Sequence, residues 1–116
     1  MATETSVSLY RGADTPIYVD VVTVDGGSTP QTMTGWALEF MVTQLTSEIL
    51  SKTTGSGITI GNGSGTDDRA TITVAAADTA NWAPGRLYRW ALWRTDSGNK
   101  RPLAVGSLTV LDAPQP

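Results

Sequence analysis

The chain alternates between apolar and polar residues over most of its length, which is the pattern of β-strands that bury one face. The clearest alternation predicts a strand from Trp36 to Thr43. Its inward side chains are expected to be Trp36, Leu38, Phe40 and Val42. This strand therefore supplies one wall of the predicted core.

A second alternation lies between Trp82 and Thr95, a stretch that holds three of the four tryptophans. Pro84-Gly85 is a turn signal, because proline presets φ and glycine tolerates positive φ. The residues that follow predict a central strand with Tyr88, Trp90 and Leu92 facing inward. Its other face is expected to carry Leu87, Arg89, Ala91 and Trp93.

Shorter runs complete an all-β pattern. Strands are predicted at residues 6–10, 17–24, 58–60, 69–74 and 103–110, and residues 44–54 predict a short edge strand, although a helical turn also fits their spacing. Three alanines before Asp78 predict one helical turn near residues 75–81. Seven to nine strands with frequent turns are typical of an immunoglobulin-like, two-sheet antiparallel β-sandwich, with a jelly roll or small barrel as the alternative. Tyr88, two residues before a buried position, fits the tyrosine corner of such domains.

The 116 residues are enough for one domain with a self-sufficient core. We therefore expect a single β-sandwich over residues 1–116, with extended tails at 1–5 and 112–116. The large side chains expected at the centre of its core are Trp36, Phe40, Tyr88 and Trp90.

Composition argues against several classes of function. The chain contains neither His nor Cys, which rules out Ser-His-Asp and Cys-His catalysis and thiolate metal sites. Its net charge of −3 disfavours nonspecific nucleic-acid binding. No apolar run reaches the roughly 20 residues of a membrane helix, and the first residues do not resemble a secretory signal. The expectation is a protein that is not an enzyme, needs no cofactor or metal, and contacts neither nucleic acid nor membrane.

The carboxylates do not change this expectation. Asp14, Asp20 and Asp25 fall in or near predicted turns, where aspartate serves the backbone. Asp67-Asp68 follows a glycine-rich stretch, 61–66, and could supply oxygen ligands to Ca²⁺. The spacing does not match an EF-hand loop, so a flexible, solvated hairpin tip is the preferred interpretation.

One candidate contact surface emerges from the strand that follows Pro84-Gly85. Trp and Arg are the residues most enriched at interface hot spots. Trp93, Arg89, Arg86 and Leu87 are therefore the candidates for a protein interface. The alternative is that Trp93 is covered by its own loop or by the 45–50 segment.

The chain also resembles a known family in its turn and core positions. The matching segments are residues 10–16, 26–27, 33–36, 58–60, 67–68, 77–79, 84–88 and 106–110. They resemble small structural domains of tailed phages, typified by the N-terminal domain of the baseplate upper protein. The resemblance implies an immunoglobulin-like sandwich that serves as an attachment module in a virion.

The resulting expectation is a non-enzymatic virion subunit of a tailed bacteriophage, assembled in the host cytoplasm through contacts with other virion proteins. It would be present in several copies, and the tail or baseplate is its expected place. A capsid decoration protein is one alternative. A carbohydrate-binding module that stacks sugars on Trp93 and Trp82 is the other.

Overall fold

A computed structural model describes residues 3–23 and 29–114, with side chains described from Ser6 onward. The expected β-rich fold is confirmed, with eight strands and one helical turn in the described residues. The elements are β1 (Thr3–Tyr10), β2 (Thr15–Asp20), β3 (Leu38–Gln44), β4 (Ser47–Thr54), β5 (Gly57–Gly61), β6 (Arg69–Val74), α1 (Ala76–Thr79), β7 (Tyr88–Arg94) and β8 (Arg101–Leu111).

The strands form one hydrogen-bonded order, β1-β8-β7-β3-β4-β5-β6-β2, so β1 and β2 lie at its two ends. The sheet is mixed, and the expectation of purely antiparallel pairing is wrong at two places. β1 runs parallel to β8 along its whole length, which is possible because nearly the entire chain connects the two strands. β4 and β5 are also parallel, but they pair only at Thr53–Gly57 and Thr54–Ile58.

Inward side chains from both halves of this order belong to one hydrophobic cluster, so the sheet curls around a single core. Three of the four expected core aromatics, Phe40, Tyr88 and Trp90, are buried, and the centres of the Phe40 and Trp90 rings lie 5.8 Å apart in a stacked arrangement. The fourth, Trp36, is only partly buried at the margin of the core. It precedes β3 instead of belonging to it, so the strand's pleat does not hold its ring inside.

Two expected boundaries are corrected. Residues 3–5, expected in an extended tail, pair with Ala104–Gly106 as the start of β1. The 44–54 segment does form a strand, β4, but it lies between β3 and β5 and is not an edge. Residues 112–114 do follow the last strand as a tail, and 115–116 are outside the described residues, as are Val24 and Asp25.

The helical turn expected near residues 75–81 is confirmed as α1. The carboxylate of Asp78 accepts a hydrogen bond from the Ala75 backbone N–H at 2.8 Å, and Asp14 accepts one from the Ala76 N–H at 2.7 Å. Thr79 is buried, and its hydroxyl oxygen accepts the Gly12 N–H at 2.9 Å. The turn therefore joins the end of β6 to the loop between β1 and β2.

Candidate protein-contact face

The strand β7 places its residues as the alternation predicts. Tyr88, Trp90 and Leu92 are buried, whereas Arg89 is exposed and Trp93 is half-buried. The turn before the strand contains Gly85 at φ 80°, a conformation that favours glycine. The ring of Tyr88 stacks on Trp82 at 5.5 Å, and its hydroxyl donates a 2.9 Å hydrogen bond to the Ala83 carbonyl. This is the contact expected of a tyrosine corner, and it fixes the direction in which β7 begins.

We use the term contact face for Arg86, Leu87, Arg89 and Trp93. Arg86 and Leu87 lie in the turn just before β7, and Leu87 is 67% exposed. Arg86 and Arg89 form no ion pair with any residue in the described ranges. Two guanidinium groups without an ion pair to the described residues, and an exposed leucine, therefore lie at the start of β7.

Trp93 shares the outward side of β7 with Arg89 but does not touch it. The two are four residues apart on one strand, which is about 13 Å at the usual rise. Trp93 pairs in register with Glu39 and Pro102, and the Lys100 Nζ lies 6.0 Å from its ring centre. The alternative in which the 45–50 segment covers Trp93 has no support, since Leu45 is itself 85% exposed.

A shallow depression lies on the same outward surface, with a volume of about 170 Å³. Met41 and Thr43 of β3, Arg89 and Ala91 of β7 and Val105 of β8 line it. Most of this lining is apolar although it lies on the solvent side of the sheet. The contact face therefore adjoins a partly apolar surface.

Two arginines that the sequence pattern does not bring together, Arg94 and Arg101, lie beside the ring of Trp36. The Arg94 guanidinium lies 3.8 Å from the centre of this ring, and Arg101 lies 5.3 Å from it. Arg94 also pairs with Asp96 at 2.7 Å. The only sequence signal was the placing of Arg94 and Arg101 on either side of one turn, and it did not indicate which aromatic they would meet.

Asp96, the ion-pair partner of Arg94, has a strongly lowered pKa. The hydrogen bonds from Arg94 lower its pKa from 3.8 to about 2, and the Ala37 backbone N–H, which donates at 3.0 Å, acts in the same direction. Its charge therefore holds β7 to the segment before β3. This is a structural role.

The Asp67-Asp68 loop differs from the expected flexible hairpin tip. Asp68 is buried, and its carboxylate accepts hydrogen bonds from the backbone N–H groups of Gly63 and Gly65 at 2.7 and 3.2 Å. The bond from Gly63 is the main cause that lowers the pKa of Asp68. Thr34 donates to Asp67 at 2.6 Å, so the loop folds around its acids.

No set of three or more acids that could bind a metal occurs in the described ranges 3–23 and 29–114. Within the same ranges, no helix is long and apolar enough to cross a membrane.

The arrangement of tryptophans does not provide the pair of sugar platforms considered from the sequence. Trp82 is only 8% exposed, because its ring packs on Tyr88. Trp82 is therefore not an exposed platform that could act together with Trp93. The pairing of Trp93 with Trp82 for this purpose is wrong.

A second cavity, of about 210 Å³, lies where the two end strands β1 and β2 approach each other. Val7, Ile17, Val19, Ala104 and Trp90 contribute to its lining. The buried indole N–H of Trp90 has no hydrogen-bond acceptor in the described part of the chain.

Comparison with known proteins gives no match, either to a protein-family model or to a curated protein.

Proposed function

We propose that the chain is a non-enzymatic attachment module in the virion of a tailed bacteriophage, where it binds other virion proteins in the tail or baseplate. The resemblance described above supports this assignment. It implies a domain with an immunoglobulin-like sandwich that is made in the host cytoplasm and incorporated into the particle through protein contacts.

Two observations favour the sandwich. The order β1-β8-β7-β3-β4 is joined to β5-β6-β2 through only two residue pairs, so the strands divide into two groups around a common core. The hydrogen bond from Tyr88 to Ala83 lies where a tyrosine corner would stand at the start of an immunoglobulin-like F strand. Both are consistent with β7 as the central strand of one layer.

The observation that carries the functional proposal is the composition of the contact face. Leu87 is exposed, and the flanking Arg86 and Arg89 make no ion pair with the described residues. Arginine can bind a carboxylate with two parallel hydrogen bonds, and an adjacent apolar side chain gains free energy when a partner covers it. A neighbouring virion protein with an acidic, partly apolar surface would fit this face.

The roles of the acids favour a non-enzymatic function. Asp20 pairs with Arg69, Asp78 with Lys52 and Asp96 with Arg94, at 2.7–2.9 Å. Asp68 is held by backbone N–H groups. These four carboxylates stabilise loops and strand ends, so none of the four is a free carboxylate of the kind a general base requires.

The test is mass spectrometry of gradient-purified particles of the phage that encodes this chain, with tails and heads analysed separately. We expect the chain in intact particles and in the tail fraction, in several copies per particle. Its presence in heads alone would favour capsid decoration. Its absence from purified particles would contradict the proposal.

A further inference from the structure

Two opposite charges lie in one cross-strand row on the outward surface of the sheet. Thr43 of β3 pairs with Arg89 of β7 on one side and with Glu48 of β4 on the other. Arg89 and Glu48 are both exposed. They are separated by two strand spacings, which is about 10 Å.

Neither of these charges is paired with another residue that the structure describes. The four ion pairs of the described residues join Arg11 to Asp112, Lys52 to Asp78, Arg69 to Asp20 and Arg94 to Asp96. Arg89 and Glu48 also make no side-chain hydrogen bond within the described ranges. Each is therefore available to an opposite charge on another molecule.

The surface between and beside them is suited to a close contact. Met41 lies on β3 one pleat from Thr43, and the depression of about 170 Å³ over β7 is lined by Met41, Ala91 and Val105. Opposite this depression, across β3, the outward residues of β4 are exposed and polar, Ser51 and Glu48. The surface on the β7 side of β3 is therefore recessed and bordered by the cation Arg89. The surface on the β4 side carries the anion Glu48.

We propose that a second copy of this chain docks on this surface around a two-fold axis parallel to β3. Such an axis places β4 of each copy over β7 of the other. Arg89 of each copy then meets Glu48 of its counterpart, and this contact is made twice. This inference rests on the proposed function, because it takes this surface to be an assembly contact. It adds that the protein bound there is a second copy of the chain.

The charges select this axis over the other simple two-fold arrangement. An axis perpendicular to the strands would place β7 over β7, so that Arg89 would meet Arg89 and Glu48 would meet Glu48. Like charges brought together in this way disfavour association. Glu39, the acid on the outward side of β3, accepts a hydrogen bond from Ser51 of β4 at 2.7 Å, which draws its carboxylate toward β4 and away from the axis.

The register gives an unusually specific test with two single charge reversals, Arg89→Glu and Glu48→Arg. Each variant would place like charges together twice in a homodimer. A mixture of the two variants would instead restore two attractive pairs in a heterodimer. Lys100→Glu is the control, because it makes the same change in charge at an exposed cation in the turn after β7, outside both the row and the contact face.

Sedimentation velocity of the purified chains, over a wide range of concentration, is the measurement. We expect a reversible dimer for the wild-type chain and for Lys100→Glu, a dimer dissociation constant raised about tenfold or more for each reversal, and recovery of dimer on mixing the two. Added salt should weaken the wild-type dimer. Circular dichroism checks that each variant is folded.

Three results would overturn the inference: a wild-type chain that stays monomeric at all concentrations, reversals that leave the dimer unchanged, or a mixture that fails to recover it. The proposed function fails separately. A monomeric chain that is still found in purified particles would contradict only the dimer, and a dimer absent from particles would contradict only the virion role.

Discussion

The hydroxyl of Tyr88 donates a 2.9 Å hydrogen bond to the backbone carbonyl of Ala83, across the turn that leads into the central strand. The ring of the same tyrosine is buried against Trp82. One side chain thus connects the core to the loop that carries Arg86 and Leu87, and the orientation of the contact face depends on it.

Tyr88→Phe tests this connection. The substitution keeps the buried ring and removes only the hydroxyl, so we expect a loss of about 1 kcal/mol in the free energy of unfolding, measured with a chemical denaturant. Tyr18→Phe is the matched control, because Tyr18 is 59% exposed. An equal change in both variants would mean that the bond to Ala83 does not stabilise the turn.

Trp90 and Trp93 should differ strongly in their contribution to stability. Trp90 is 2% exposed and stacks on Phe40, so Trp90→Ala should cost about 3–5 kcal/mol. Trp93 is half-buried on the outward side, and Trp93→Ala should cost much less. Equal losses of melting temperature would contradict the assignment of the two faces.

Trp90→Phe refines the same experiment. The indole N–H of Trp90 donates no hydrogen bond to the described residues, so its removal breaks no protein hydrogen bond. The cost should therefore stay well below that of Trp90→Ala and reflect only the smaller ring. A loss as large as that of the alanine variant would show that the N–H has an essential partner.

The alternation of side chains was enough to predict the strands at the centre of the fold, because burial of one face imposes a period of two. It placed Phe40, Tyr88 and Trp90 in the core and Arg89 outside it. It failed at Trp36, since the strand begins only at Leu38 and the ring is held at the margin by Arg94. A contact between residues so far apart in the chain leaves no local pattern.

The buried Asp68 illustrates a second limit. Glycine-rich sequence next to two aspartates usually indicates a solvated loop. Here the backbone of that loop turns inward and the Gly63 N–H donates a hydrogen bond to the Asp68 carboxylate. This geometry also depends on residues outside the loop, namely Pro30 and the end of β2. The parallel pairing of β1 with β8 could not be predicted from local sequence patterns either, because strand order is a property of the whole chain.

The same loop gives a steric prediction. A Cβ atom on Gly65 would lie 2.6 Å from the Cβ of Pro30, whereas one on Gly61 would meet no atom within 4 Å. Gly65→Ala should therefore destabilise the chain by about 1–3 kcal/mol, and Gly61→Ala should not. Denaturant unfolding of the two variants measures the difference, and equal stability would show that the loop can move away from Pro30.

Asp96 predicts a dependence of stability on pH. Its pKa is lowered from 3.8 to about 2 in the folded chain, chiefly by Arg94. A lowered pKa stabilises the folded state above the unfolded pKa, and this contribution is lost as the pH falls through the folded pKa. Asp96→Asn should thus be less stable than wild type at neutral pH, and the difference should shrink between about pH 4 and pH 2. A difference that is constant across this range would contradict the pairing.

We propose that the outward side of β7 binds a neighbouring protein in the particle. Incorporation of a folded Arg89→Ala/Trp93→Ala variant into phage particles tests it most directly, with Tyr18→Ala as a control for loss of an exposed aromatic elsewhere. We expect purified particles to contain the control at wild-type level and strongly reduced amounts of the double variant. Incorporation of the folded double variant at wild-type level would show that a different surface attaches this chain.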